Sequence, residues 1–410
     1  MCKGFSMVPV KSPRQICHIV SSLNDTAQND LVFANIRQFP LPHYEHTLVV
    51  LKKSKVQPVK LPRQVSCLEL ALKGSLPRRL RTCNRALSAL KPDICQTYGD
   101  TTFPIQWLAH RLDIPVKLHI HINNDSHCGF WRELLRPWKY RLLAHSADFV
   151  ITPEDESLNW LEEKVGLEPG KAHLIRTGID NRHYCPPLRE IDPNITNHFI
   201  GTVPIPTQRF VVGVPVSGFC KSTVLAFLDE YMAARKQSPA FARDCLLLLL
   251  GNSPNLRAYR NVLDSFKITE ESVRFYSHLS DNERFYSHID AIISLNDDTH
   301  TPVSLLEAMS MGLPVITHRS DTDNSDEEHP LRWQVANSEP LIQHQLLTLC
   351  SDSHLRLKLG QASRAYVIHK HNHHEHRIRY RALYKMAQRR VAVEEDVPAA
   401  PTIAPSQLNR

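Results

Sequence analysis

The stretch Asp290–Thr317, DAIISLNDDTHTPVSLLEAMSMGLPVIT, decides the fold. Its apolar run ending at Leu295 reads as a strand, Asn296–His300 as a polar loop, and the residues after Thr301 as a helix. Thr301 suits an N-cap, and Pro302 suits the first helical position, where a missing N–H is no loss. Gly312 and Pro314 supply the stop, and Val315–Thr317 begins another strand. A strand, a loop and a helix returning to a strand form one βαβ unit. The free N–H groups expected at Val303, Ser304 and Leu305 point back at the loop, and with the helix dipole they make a site for a phosphate. Glu307, six residues past Thr301, can accept hydrogen bonds from a vicinal diol such as that of a ribose. The plainer reading is a capped amphipathic helix with a solvated glutamate.

The same alternation extends in both directions. Apolar runs at Ile16–Val20, Thr47–Leu51, Ile94–Thr97, Val116–Ile120, Phe149–Thr152, Val211–Gly213, Cys245–Gly251, Val273–Phe275 and Ala291–Leu295 are separated by helix-period segments. Such a pattern implies right-handed crossovers and parallel sheets covered on both faces. Pro186, Pro187, Pro193, Pro204 and Pro206 interrupt it and mark an irregular connection. The division expected is a first domain over 14–187, a linker over 188–208, a second domain over 209–368, a C-terminal helix over 369–390 and a disordered tail over 391–410. The fold class is α/β, two Rossmann-like parallel-sheet domains facing a cleft, and ligands of such sheets bind at the carboxyl ends of the strands.

Composition removes other classes. Hydrophobic residues make up 42% and charged residues 22% of the 410, and glycine occurs only 13 times, which disfavours collagen-like or linker-rich chains. The longest strongly apolar run, Cys245–Leu250, is far short of the ~20 residues that span a bilayer. With no apolar run near the N-terminus to act as a signal, the expectation is a cytoplasmic protein. Ten cysteines without a C-x-x-C pair read as reduced, buried small hydrophobes. The net charge of +7 is too modest to imply nucleic acid. It is concentrated in Arg78, Arg79, Arg81, Arg85 and Lys91 beside Leu76, Leu80, Leu87 and Leu90, and in Trp131, Arg132, Arg136, Trp138, Lys139, Tyr140 and Arg141. Basic residues beside Leu and Trp suit an anionic membrane surface, and equally a solvated helix face. His369, His371, His373, His374 and His376 with Glu375 lack the order of a zinc site and read as a solvated terminal helix.

Leu305-Leu306-Glu307-Ala308-Met309, Gly312, Pro314 and Val315 resemble the C-terminal motif of glycosyltransferase family 4, retaining sugar-nucleotide enzymes of GT-B architecture. Further matches follow the family order: Lys91–Ile94, Asp113–Val116 through His121, Ala147–Asp148, Thr177–Asp180, Val273–Phe275 with Leu279–Asp281, and Ser351–Gly360. The resemblance implies a C-terminal helix crossing back to the N-terminal domain. It also implies transfer of a sugar from a nucleotide-diphosphate donor to a glycan or lipid-linked acceptor, as in cell-envelope polysaccharide or lipopolysaccharide synthesis. By it, His121 contacts the donor sugar, Glu307 the ribose and Lys221 a phosphate. The nucleotide sugar is a substrate; no cofactor or metal is implied, because the helix dipole and basic side chains stabilise the leaving diphosphate. Peripheral contact with the inner face of the cytoplasmic membrane and no nucleic-acid partner complete that expectation.

Three departures stand out. The first Glu of the family's E-x7-E pattern is Thr299 here, so Asp298, Asp297 or backbone groups would take over the sugar contact. Gly213 is followed by Val214 where the family has Arg, which leaves Lys221 as the candidate cation, or else a solvated lysine. The first turn, Leu23–Gln28, has no Gly-Gly pair, so side chains should line the acceptor side. These losses also fit a rival reading, a non-catalytic subunit of the same fold that binds a partner protein.

Overall fold

The computed structural model describes residues 13–23, 26–40, 43–53, 65–122, 130–187, 197–200, 203–206, 208–216, 221–250, 256–276, 282–295, 302–317 and 341–395. Seven strands form the first sheet: β1 (Arg14–Val20), β2 (Tyr44–Val50), β3 (Val65–Glu69), β4 (Ile94–Tyr98), β5 (Val116–Ile120), β6 (Phe149–Thr152) and β7 (Ala172–Leu174). All pair in parallel in the order β3-β2-β1-β4-β5-β6-β7. Between them run α1 (Thr26–Gln38), α2 (Leu76–Leu90), α3 (Pro104–Arg111), α4 (Phe130–Ala144) and α5 (Asp155–Asn159), the last extended by a π-helical turn over Trp160–Lys164. β4, β5 and β6 are buried at every position, and the polar side chains they carry, such as Gln96, Thr97 and His119, are hydrogen-bonded inside the core.

After residue 187 the chain makes an antiparallel pair, β8 (Asn197–Ile200) with β9 (Val203–Pro206). The irregular connection expected there is therefore partly a hairpin. Proline lacks only the donor, so Pro204 and Pro206 are tolerated in a two-stranded pair that is all edge. The second sheet holds β10 (Phe210–Pro215), β11 (Cys245–Leu250), β12 (Val273–Tyr276), β13 (Ala291–Ser294) and β14 (Val315–Thr317), parallel in the order β12-β11-β10-β13-β14. Its helices are α6 (Lys221–Gln237), α7 (Pro239–Asp244), α8 (Leu256–Ser265), α9 (Asn282–Tyr286), α10 (Val303–Ser310), α11 (Leu341–Ser351), α12 (Ser353–Lys370) and α13 (His373–Glu395). Both sheets reverse direction of winding once, between β1 and β4 and between β10 and β13. Those switch points open the crevices in which ligands of doubly wound sheets sit.

Helix α13 returns to the first sheet. Tyr380, Leu383, Tyr384 and Ala387 are buried in a core that also contains Ile16, Leu48, Ile94 and Leu306. The Gln96 amide donates to the Tyr384 hydroxyl at 2.6 Å, and the Asn35 amide lies 3.3 Å from the Tyr380 hydroxyl. The histidine-rich segment is solvated only in part, with His369, His374 and Glu375 exposed. His371 and His376 are buried, with Nδ1 atoms 3.0 Å from the Thr177 carbonyl and 2.9 Å from the Arg176 carbonyl. These two fasten α13 to the end of the first domain. Among the described residues no group of histidines, cysteines and carboxylates could hold a metal ion. The helix continues to Glu395, past the point where a disordered tail was expected; residues 396–410 lie outside the described set.

Two smaller expectations also change. Cys17, Cys83, Cys95 and Cys245 are buried and unpaired, but Cys67 and Cys185 are exposed. In α2, Leu80, Leu87 and Leu90 pack on a core with Cys83 and Leu108, so of the leucines expected on its basic surface only Leu76 is exposed.

Candidate functional site

Helix α10 begins one residue later than the sequence suggested. Its N-cap is Pro302, at φ −58° and ψ 147°, whose carbonyl accepts from the N–H groups of Leu305 at 3.0 Å and Leu306 at 3.1 Å. A proline in that place forgoes a side-chain cap, and the Leu305 N–H expected to be free is thereby engaged. The first-turn N–H groups of Val303 and Ser304 have no partner within the helix. Thr301, with Asp298, Thr299 and the rest of the loop 296–301, lies outside the described residues. The Val303 side chain is buried, and the Ser304 carbonyl accepts from the Tyr286 hydroxyl at 2.9 Å.

Glu307 is neither solvated nor facing open water. Its side chain is 2% exposed, and its Oε1 accepts from Nη2 of Arg37 at 3.0 Å. Arg37 comes from α1, so this ion pair joins the two sheets' domains through one carboxylate. The Tyr184 hydroxyl is bonded to the same carboxylate; burial first, then Glu307, pushes that phenol's pKa up. At the far end of α10, the Ser310 hydroxyl donates to the Tyr184 carbonyl at 2.7 Å, and Arg364 of α12 donates to the Ser310 carbonyl. Lys221 is the first residue of α6 and is exposed, following β10, the neighbour of β13. The second domain thus brings Val303, Ser304 and Glu307 together on one helix, while Lys221 begins the helix that follows the neighbouring strand, β10.

His121 follows β5 at the carboxyl edge of the first sheet. Its N–H donates to the Ile151 carbonyl at 2.7 Å, which fixes the backbone, and its side chain is buried. Nδ1 lies 2.8 Å from the Tyr140 hydroxyl, and that hydroxyl donates in turn to Oδ1 of Asp100. Arg136 Nε donates to the other Asp100 oxygen at 3.0 Å. The indole of Trp160 stacks on the imidazole, with centroids 5.4 Å apart and planes within 10°, and the Arg136 guanidinium covers the same indole at 4.9 Å. Burial lowers the His121 pKa to about 4, against the opposing pull of Asp100. The ring is therefore neutral at pH 7. His119, two residues earlier on β5, points into the core, bonded through Nδ1 to the Thr97 hydroxyl at 2.9 Å and stacked on Phe103.

Sequence reasoning singled out His121 and Glu307 but not the residues packed and bonded against them, Asp100, Trp160, Arg37 and Tyr184. It assigned Arg136 and Tyr140 to a basic surface, whereas Tyr140 is wholly buried and Arg136 is paired with Asp100. The outer face of α4 does carry an apolar stripe: Leu135, Trp138 and Leu142 are exposed, beside exposed Lys139 and Arg141. The side chains of Trp131 and Arg132 lie outside the described set.

Residues 33–183 match the family model of Glycosyltransferase Family 4, and residues 216–352 match that of Glycosyl transferases group 1. No curated protein matches the chain. Among solved structures, a sucrose-phosphate synthase from Thermosynechococcus elongatus is similar with a TM-score of 0.64 and 16% identity, covering 91% of this chain and 98% of its own. A glycosyltransferase from Rickettsia africae gives 0.63 at 13% identity, over 92% and 99%. HepE of Anabaena, solved with UDP and glucose, gives 0.58 at 12% identity, over 93% and 99%. Identities this low speak for the shared two-sheet fold.

Proposed function

We propose that this chain, which belongs to the glycosyltransferases of family 4 and group 1 and is an α/β protein of GT-B architecture, is a retaining enzyme that moves a sugar from a nucleoside diphosphate to a glycan or lipid-linked acceptor. The observation that carries the reading is helix α10, which starts at a switch-point crevice and presents two N–H groups that have no partner within the helix, with Glu307 five residues past the cap. The second domain holds the nucleotide. The N–H groups of Val303 and Ser304, the dipole of α10 and Lys221 stabilise the departing diphosphate, an electrostatic contribution of several kcal/mol, on the order of 3, in a dry cleft. Glu307 takes the ribose hydroxyls, and His121 with the loop around Asp298 and Thr299 takes the donor sugar. The first domain binds the acceptor, and closure of the two expels water.

Neutral His121 hydrogen-bonds the sugar without carrying charge, so the positive field at the leaving group comes from the second domain. A nucleotide sugar at about 100 times its Kd should stabilise the protein by about 2.7 kcal/mol. Thermal-shift screening with UDP- and GDP-sugars therefore identifies the donor, and transfer or slow hydrolysis of that donor by the purified chain tests the activity. The replacement of the family's first Glu by Thr299 favours the rival, a non-catalytic subunit; binding of a donor without transfer or hydrolysis would establish it.

The reaction proceeds without a resident metal in this reading, so transfer is expected to survive EDTA undiminished. Asp321 and Asp323, two carboxylates one residue apart outside the described set, make the experiment informative: a strict Mg²⁺ or Mn²⁺ requirement would refute metal independence. Among the described residues no helix is long and apolar enough to cross a membrane. A lipid-linked acceptor would be met by the outer faces of α2 and α4, where Arg78, Arg79, Arg81 and Arg85 and the stripe Leu135, Trp138 and Leu142 are exposed. Binding to anionic vesicles, released by salt and weakened by Trp138→Ala, is the expected result in a flotation assay. Equal binding to neutral vesicles, or none to either, removes the idea.

A further inference from the structure

A buried imidazole can present a donor or an acceptor to a ligand, and which one depends on what binds its other nitrogen. At His121 the answer follows from a chain of three groups. The carboxylate of Asp100 is an acceptor only, so the proton of the Tyr140 hydroxyl points at Asp100 Oδ1. Burial, and then the Asp100 charge, keeps that phenol protonated. The Tyr140 oxygen is left with lone pairs for His121 Nδ1, 2.8 Å away, so Nδ1 must hold the ring proton. In a neutral ring Nε2 is then bare.

We propose that Asp100, acting through Tyr140, is a positioning residue that fixes His121 as the Nδ1–H tautomer and so offers its Nε2 lone pair to a hydroxyl of the donor sugar. This rests on the place given to His121 above. The surroundings hold the relay still: Arg136 grips the second Asp100 oxygen, and Trp160 and Tyr140 confine the ring from its face and its edge. Glu154 also acts on His121, and Lys139 acts on the neighbouring His119, which interacts with His121. An acceptor at this point selects sugars that can donate from the matching hydroxyl, and it disfavours deoxy analogues there, whose missing group would leave Nε2 unsatisfied.

Asp100→Asn is the informative variant. Its amide can donate to the Tyr140 oxygen, which turns the phenolic proton toward His121 Nδ1 and drives the ring proton to Nε2. The precedent for such an inversion is the Ser-His-Asp triad, where an Asp-to-Asn change leaves the geometry in place and the histidine in the wrong tautomer. The tautomer is read at pH 7 from long-range ¹H–¹⁵N spectra of the histidine rings, with His121 assigned by its loss in His121→Asn. The expected result is a pyridine-type Nε2 in the natural protein and a pyridine-type Nδ1 in Asp100→Asn. Tyr140→Phe, which keeps the packing volume, should leave the Nδ1–H without its acceptor and give a mixture. Donor transfer should fall by about tenfold or more in Asp100→Asn, where the tautomer is inverted, and by less in Tyr140→Phe, where a competent fraction remains. An Nε2–H ring in the natural protein, or a tautomer unmoved by Asp100→Asn, overturns the relay. A tautomer that inverts while transfer is unchanged overturns instead the contact between His121 and the sugar.

Discussion

Gly360→Ala is expected to destabilise the second domain by at least about 3 kcal/mol, the upper range of core overpacking. A Cβ built on Gly360 would lie 2.0 Å from the Gly312 carbonyl oxygen and 3.0 Å from its carbon. The neighbour is backbone, and that backbone cannot yield: Gly312 sits at φ +79°, where it stops α10 and turns the chain into β14. Helix α12 therefore crosses the end of α10 at a distance only a glycine permits. The same crossing carries Arg364 to the Ser310 carbonyl, so a displaced α12 also loses the cap on α10. Gly166→Ala is the control. Its added Cβ meets nothing within 4 Å, and its φ of +68° makes it purely a conformational cost of about 1–2 kcal/mol. Urea unfolding of the two variants separates the terms. A Gly360→Ala midpoint no lower than that of Gly166→Ala would show that α10 and α12 slide apart freely. In that case α12 would not fix the C-terminal end of α10.

How much of this was legible in the sequence depended on how local each signal was. The ten apolar runs became strands because a parallel sheet needs residues buried on both faces, a demand written into consecutive positions. β3 escaped notice because it is an edge, with Ser66, Cys67 and Glu69 exposed and no run to mark it. β7 is three residues long, and β8–β9 was hidden behind its prolines. The site divides along the same line. Val303, Ser304 and Glu307 stand on one helix and could be read together. The partners of His121 arrive from the end of β4, from α4 and from the π-helical turn, and those of Glu307 are more distant still, Arg37 being 270 positions away. Nothing in a single sequence announces that Tyr98-Gly99-Asp100 turns a carboxylate toward a tyrosine 40 residues later. Spacing predicts what one element presents, and tertiary packing decides what meets it.

Glu307→Gln is expected to weaken the binding of UDP or GDP by about tenfold or more. Each hydrogen bond from a ribose hydroxyl to a carboxylate contributes about 1.5–3 kcal/mol, and most of that excess over a neutral acceptor disappears with the charge. The pairing with Arg37 does not forbid the contact, since a carboxylate offers about four acceptor positions and ribose hydroxyls can join Arg37 and Tyr184 around it. It does supply a rival explanation: Glu307 could serve only to join the two domains. Stability and affinity then separate the roles. In Glu307→Gln the guanidinium left behind is half exposed and can turn to water, so stability should fall by only about 1 kcal/mol. Arg37→Met leaves the 2%-exposed carboxylate without its cation, and an uncompensated buried charge costs more, about 1–3 kcal/mol even with Tyr184 still bound. The two variants should therefore rank in opposite orders. Arg37→Met is the less stable protein and keeps its nucleotide affinity within about threefold, a change of less than 1 kcal/mol, while Glu307→Gln is the more stable and binds poorly. Denaturant unfolding and calorimetric titration of the same preparations give both rankings. Affinity that follows stability across the pair would make Glu307 a strut between domains and remove it from the nucleotide site.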